Sequence, residues 1–132
     1  MNRLTIIGNL THNPESRILN TQNGAKAVCN FTVAANRTVR GQKITEYFRV
    51  SCWEKQADNA MKYLAKGRKV AVTGPIAARA YLGSNGEPRA SLEIQWPEEI
   101  EYLSGRGDEG QAPEAPPDEY SYTPKDDTKI PF

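Results

Sequence analysis

The sequence predicts an all-β domain with one helix, followed by an acidic tail that we expect to be disordered. The chain has 132 residues and a mass of 14.7 kDa, which suits a single globular core. Residues 1–104 contain short strand-like stretches separated by turn residues, and one stretch has helical spacing. Residues 105–132 are rich in glycine, proline and acidic residues and lack apolar periodicity. The entropic cost of ordering them would exceed the free energy gained by burying their few apolar side chains.

Apolar and β-branched runs predict the first two strands. Residues 3–10 form such a run, and it ends in the polar residues 11–16. Asn23 and Gly24 mark a turn before residues 27–34, which alternate between apolar and polar side chains. We therefore expect the second strand to have one buried and one solvated face.

The third strand and the helix follow. Residues 40–43 predict a hairpin tip that leads into the third strand, residues 44–53. Residues 54–66 place alanine, methionine and leucine side chains at helical spacing, and Gly67 is the expected C-terminal cap.

A second hairpin completes the predicted domain. Residues 69–81 return to strand character, residues 84–86 predict a turn, and residues 89–96 form the partner strand. The element order is then three strands, one helix and two strands. A five-stranded, partly open Greek-key barrel with one helix in this position is the arrangement of the OB-fold, which we expect by analogy.

The charge is distributed unevenly, although the net charge is only +1. Residues 1–97 contain 14 Lys and Arg residues against 6 acidic residues, whereas residues 98–132 contain 3 against 10. A basic body joined to an acidic end predicts a polyanion-binding domain and a tail with a separate role.

Several function classes are disfavoured. Cys29 and Cys52 are far apart in the sequence and His12 is near neither of them, so we expect reduced thiols, no metal site and no cofactor. No apolar run approaches the roughly 20 residues of a membrane span, and no signal-peptide run follows the N-terminus. We expect a cytoplasmic chain without a membrane partner.

Catalysis is also disfavoured. The sequence has no glycine-rich phosphate loop, and no serine or cysteine is placed to use His12 in nucleophilic catalysis. The adjacent carboxylates Glu98 and Glu99 begin the acidic end, where we expect them to be solvated. We therefore predict no catalytic residues and no enzymatic activity.

The third predicted strand carries the main candidate binding residues. Its expected core face contains Phe48, Val50 and Cys52. The opposite face, which we expect to be solvated, presents Tyr47, Arg49, Ser51 and Trp53. Alternation also puts Arg79 and Tyr81 together on the fourth strand. Exposed aromatic rings beside cations suit stacking on unpaired bases and neutralising phosphates. Alternatively, the three aromatic residues pack in a second small cluster or a subunit interface.

Other cations could follow a phosphate backbone, or they are ordinary solvated charges. They are Arg37, Arg40, Lys43, Lys55, Arg68 and Lys69.

With these residues, the chain resembles the bacterial single-stranded DNA-binding protein family, including its phage and plasmid members. Residues 2–10 and 14–17 look like the family's opening strand and turn. Further matches in order and spacing are residues 34–37, 48–53, 63–67 and 74–81. The resemblance covers residues 2 to about 104 and the last few residues.

The resemblance implies an OB-fold that binds single-stranded DNA without sequence specificity in replication, recombination and repair. It also implies a homotetramer at the bacterial nucleoid. The family's base-stacking aromatics fall on Tyr47, Trp53 and Tyr81, and a fourth falls on Val39, which cannot stack on a base. The DNA-binding residues predicted by these features together are Arg37, Tyr47, Arg49, Trp53, Lys55, Arg79 and Tyr81.

The tail resembles the family's acidic run followed by Ile-Pro-Phe, which implies that it recruits replication and repair enzymes. The partner-binding residues would be Asp126, Asp127, Ile130, Pro131 and Phe132. Lys129 interrupts the acidity of this segment.

One alternative function is an OB-fold module that binds structured or single-stranded RNA. The apolar terminus, residues 130–132, favours the DNA-binding function, because an RNA chaperone has no evident use for it. A phosphodiester-cleaving enzyme is disfavoured because residues 1–104 lack a clustered carboxylate or histidine metal site.

Overall fold

The computed structural model describes residues 1–103, which form eight β-strands and one α-helix. The strands are β1 (Leu4–Leu10), β2 (Glu15–Thr21), β3 (Gly24–Val39), β4 (Gln42–Trp53), β5 (Lys69–Gly74), β6 (Ala77–Leu82), β7 (Pro88–Ile94) and β8 (Glu99–Tyr102). The helix, α1 (Lys55–Tyr63), connects β4 to β5. The predicted class, mostly β with one helix, is confirmed for this part of the chain.

The strands belong to one sheet with the order β6-β7-β4-β3-β1-β5-β8, and β2 pairs with β3 outside this path. The pairing of β4 with β7 is parallel, and the other pairings are antiparallel. Buried side chains from β1, β3, β4, β5 and β7 meet in one cluster. The sheet therefore curls around a single core, as a small barrel does.

Alternation along the strands builds this core. Phe48, Val50 and Cys52 of β4 are all buried, which confirms the predicted core face of that strand. Ala57 and Ala60 of α1 join the same cluster, so the helix covers part of the core. These apolar faces determine which side chains of each strand remain on the outer surface.

The two cysteines lie directly opposite each other on β3 and β4, where both are free and buried. A hydrogen bond with Cys29 and burial raise the pKa of the Cys52 thiol, so this side chain stays protonated. Cys29 and Cys52 are small apolar components of the core, as predicted.

β2 and β8 are additional to the five predicted strands. The Ile18 side chain of β2 is exposed, so no apolar face is visible in that segment. β8 has four residues, and its exposed Glu99 and Glu101 give it the composition expected of the acidic end. Residues 69–81, predicted as one strand, form β5 and β6 because Pro75 has no N–H to continue the ladder.

The helix is shorter than the predicted residues 54–66. Leu64 is its C-cap, with extended backbone, and its N–H donates to the Ala60 carbonyl at 2.9 Å. The prediction that Gly67 caps the helix is wrong. Gly67 has φ 87° in the following turn, where its N–H donates to the Leu10 carbonyl at 2.9 Å. This contact joins the end of the helical connection to β1.

The predicted hairpin tip between β3 and β4 is confirmed. Arg40 and Gly41 have φ angles of 49° and 79°, and they lie between the opposed residues Val39 and Gln42. Two positive φ angles in a two-residue loop are typical of a type I′ turn, whose twist matches that of paired strands. The turn thereby fixes the register of β4.

Gly8 permits a close approach of β1 to β3. A Cβ atom at this position would overlap the carbonyl oxygen of Ala34. A side chain at Gly8 would therefore force the two strands apart.

The helix in the described part of the chain, α1, is not long and apolar enough to cross a bilayer.

Candidate nucleic-acid interface

The candidate interface is the outer face of β4, β6 and β7. Residues 47, 49, 51 and 53 of β4 alternate with its core residues, so their side chains leave the opposite side of the strand. Arg49 lies opposite Glu93 of β7, and Tyr81 of β6 lies opposite Arg89 of β7. Side chains that are distant in the sequence therefore share one face.

Arg49 lies beneath Tyr81. Its guanidinium carbon is 5.8 Å from the centroid of the Tyr81 ring, within the range of a cation–π interaction. Arg49 is only 9% exposed, so the expectation that it faces solvent is wrong. Desolvation lowers the pKa of Arg49, and Tyr81 and Glu93 oppose that change. The side chain stays charged and supports the aromatic ring from within the sheet.

Glu93 is the centre of a buried polar network. This carboxylate is 4% exposed and accepts hydrogen bonds from Ser91 Oγ at 2.8 Å and Gln95 Nε2 at 3.3 Å. Arg79 Nε lies 3.3 Å from its Oε2 atom in a largely buried ion pair. The negative charge compensates the neighbouring guanidinium groups and restrains their positions.

Trp53 is half-buried and stacks on Trp96. The ring centroids are 4.8 Å apart, and the rings are inclined by 11°. Trp53 Nε1 also donates a hydrogen bond to the Gln95 carbonyl at 3.0 Å. Trp96 itself is 60% exposed. The predicted aromatic residue is therefore held in place by a second ring and by a backbone carbonyl.

The remaining predicted residues occupy different places. Tyr47 is half-buried on the same face of β4, and Lys55 is exposed at the first position of α1. Arg37 lies near the hairpin tip, where its Nη2 contacts Glu46 Oε1 at 3.2 Å. The structure thus groups the aromatic residues with Arg49 and Arg79 and leaves Arg37 and Lys55 at the margins.

The additional cations fall into two groups. Arg40 and Lys43 are exposed at the tip of the β3–β4 hairpin, which also carries Arg37. Arg68 and Lys69 lie at the start of β5, and Arg68 Nη1 donates to the Tyr63 carbonyl at 3.4 Å. Because β5 is separated from β4 by two strands in the sheet, the second group lies outside the candidate interface.

The sequence does not reveal two members of this site. Trp96 lies two residues after the core residue Ile94. If residues 89–96 formed one strand, both side chains would therefore face the core. β7 ends at Ile94, and the bend that follows turns Trp96 outward. Glu93 was visible only as an isolated acidic residue in a basic segment, because its cation partners lie on other strands.

Among residues 1–103, no group of three or more His, Cys, Asp or Glu residues could hold a metal ion. The predicted partner-binding residues lie outside the described part of the chain. They are Asp126, Asp127, Ile130, Pro131 and Phe132.

Comparison with known proteins identifies relatives of this chain. Residues 1–102 match the model of the single-strand binding protein family. Single-stranded DNA-binding protein 2 of Clostridium acetobutylicum is 32% identical over 136 residues, covering 100% of both chains. The single-stranded DNA-binding protein of Halalkalibacterium halodurans is 36% identical over 114 residues, covering 84% of this chain and 66% of the relative.

A solved structure is also similar. It is the Plasmodium falciparum SSB complex with ssDNA, which matches with a TM-score of 0.64 and 28% sequence identity. The match covers 79% of this chain and 96% of that chain. This likeness confirms the predicted OB-fold.

The buried position of Glu93 predicts a large effect of its replacement on stability. Glu93→Gln removes the charge that compensates Arg79 and Arg49 in a site with little access to water. We expect the free energy of unfolding to fall by about 2–3 kcal/mol, measured by urea denaturation.

Glu87→Gln is the matched control, because the Glu87 carboxylate is exposed while it pairs with Arg89 at 3.6 Å. Loss of this ion pair should lower the free energy of unfolding by less than about 1 kcal/mol. Equal unfolding midpoints for the two variants would contradict a structural role of Glu93.

Proposed function

Because the chain belongs to the single-strand binding protein family, we propose that it binds single-stranded DNA without sequence preference. The observation that carries the proposal is the placement of Tyr47, Trp53 and Tyr81 on one sheet face together with Arg49 and Arg79. Proteins of this family bind DNA and are not enzymes, which agrees with the prediction of no enzymatic activity.

In this proposal the aromatic rings stack on bases, which is worth about 1–3 kcal/mol per base and tolerates any sequence. Arg37 and Lys55, which are exposed, neutralise phosphates at the margins of the interface. Arg49 and Arg79 raise the positive potential beneath the rings while Glu93 keeps them in place. The arrangement suits a strand whose bases are unpaired and accessible.

We also propose that the protein protects single strands during replication, recombination and repair. The family membership supports this role. A cytoplasmic, nucleoid-associated location stays a prediction of the same proposal. RNA binding is the competing function, because base stacking alone does not distinguish the two polymers.

Titration with oligo-dT, oligo-rU and duplex DNA tests the proposed function. We expect quenching of tryptophan fluorescence and tight binding with oligo-dT, and much weaker binding with the other two. The logarithm of affinity should fall with the logarithm of salt concentration by about 0.7 for each phosphate neutralised. Tighter binding of oligo-rU than of oligo-dT would favour the RNA-binding function, and a salt-independent affinity would exclude phosphate contacts.

The variant Tyr81→Ala tests base stacking in the same titration. We expect oligo-dT binding to weaken by about 1–3 kcal/mol, because one stacking surface is lost. Tyr81→Phe keeps the ring and should bind almost as the original chain does. Tyr63→Ala is the control, since Tyr63 is a half-exposed ring that contacts Tyr102 at the far end of α1. Equal affinities for Tyr81→Ala and Tyr63→Ala would refute stacking on Tyr81.

We propose a homotetramer, as the family resemblance implies. Exposed apolar side chains support assembly, since Ile7 on β1 and Ile18 on β2 leave apolar surface that subunits could bury. Light scattering at micromolar concentration should give a mass near four times 14.7 kDa. A mass of 14.7 kDa under these conditions would eliminate the tetramer.

We further propose that the C-terminal residues recruit replication and repair enzymes. Phe132 offers an aromatic ring next to the apolar Ile130 and Pro131, which suits an apolar pocket on a partner. Asp126 and Asp127 add long-range attraction to a basic partner.

Deletion of Phe132 should abolish capture of such enzymes from a bacterial extract. Affinity for oligo-dT should stay the same or increase slightly, because the folded domain is unchanged. Equal capture by both chains would argue against the docking role, whereas a marked loss of DNA affinity would place the tail in the DNA-binding site.

A further inference from the structure

Trp96 is the most exposed aromatic residue in the described part of the chain, yet its backbone is firmly held. The Gln95 carbonyl before it accepts a hydrogen bond from Trp53 Nε1 at 3.0 Å. The Pro97 carbonyl after it accepts one from Gln56 Nε2 at 3.1 Å. Exposure of a large apolar ring to water is unfavourable. A backbone that holds the Trp96 indole at the surface therefore needs an explanation.

The stacked geometry defines what Trp96 offers. One face of its ring lies almost parallel to Trp53, with the centroids 4.8 Å apart. That contact covers one face of each ring. The other face of Trp96 therefore accounts for the exposure of this residue. A flat aromatic ring stacked outside Trp96 would extend the existing two-ring stack.

We infer that Trp96 is a further base-stacking residue, which its stacking on Trp53 holds in position. The inference rests on the proposed function and adds a binding residue to it. The ligand is a single unpaired base of a DNA strand, stacked on the outer face of the Trp96 ring. Because the two indoles are already stacked, little conformational freedom is lost when the base arrives.

The surroundings of Trp96 suit this ligand. Lys55 is exposed and adjoins Gln56, whose side chain contacts Pro97. Arg3 Nε pairs with Glu98 Oε2 at 3.1 Å, so the charge of Glu98, two residues after Trp96, is compensated. A phosphate next to the stacked base would therefore find positive charge on Lys55.

Substitution of Trp96 in the full chain tests the inference. Trp96→Leu keeps an apolar cover over Trp53 but cannot stack on a base, so we expect oligo-dT affinity to fall by about tenfold or more. Trp96→Phe keeps an aromatic ring and should retain most of the affinity. Unfolding midpoints of both variants should stay close to that of the original chain, because the ring is mostly exposed.

Circular dichroism gives a second measurement. Trp53 and Trp96 are the only two tryptophans of the chain, so exciton coupling between them can be assigned without ambiguity. We expect the coupled signal to persist when oligo-dT binds, because the base adds to the outside of the pair. Loss of the signal on binding would mean that the pair opens, which would overturn the inferred geometry.

The outcomes separate this inference from the proposed function. If the original chain fails to bind oligo-dT, the proposed function itself is wrong. If the chain binds and Tyr81→Ala weakens binding while Trp96→Leu does not, stacking on Trp96 is refuted and the proposed function stands.

Discussion

The register of β4 is the constraint on which the rest of the structure depends. β4 pairs with β3 from Val39 opposite Gln42 at the hairpin tip to Val28 opposite Trp53 at the other end. Within this ladder, Val50 lies on the core side of β4, and Arg49 lies on the opposite side beneath Tyr81. Because side chains alternate, a slip of one residue would expose the apolar set and drive the guanidinium into the core. The type I′ turn at Arg40 and Gly41 excludes that slip.

The outer face of β4 then needs charge compensation, because the pairing of β7 with both β4 and β6 brings Arg49 and Arg79 to one face. Arg49 is nearly buried and Arg79 largely so, and burying charge is costly unless it is paired. Glu93 supplies the opposite charge from the adjacent parallel strand. Its hydrogen bond from Ser91 fixes the carboxylate, which pairs with Arg79 and lies opposite Arg49, the residue beneath Tyr81. The same network thus permits folding and sets the geometry of the outer face.

Local patterns in the sequence predict those features that depend on neighbouring residues in the chain. The core face of β4, the hairpin tip at Gly41 and the position of the helix are of this kind, and all three are confirmed. Features set by pairing between distant strands could not be predicted in this way. β2 and β8 are stabilised by their partners rather than by their own alternation, and Trp96 is turned outward by a bend after Ile94. The role of Glu93 depends on arginines from two other strands.

The hydrogen bonding of the outer face explains why the proposed interaction would be independent of base sequence. Reading a base requires donors and acceptors directed at its edge, and several polar groups here are already engaged within the protein. Trp53 Nε1 donates to Gln95, Ser51 Oγ donates to Asn30 at 2.6 Å, and Ser91 Oγ donates to Glu93. What the face offers to a ligand is therefore ring surface and positive potential. Both act on features that all nucleotides share, the base plane and the phosphate.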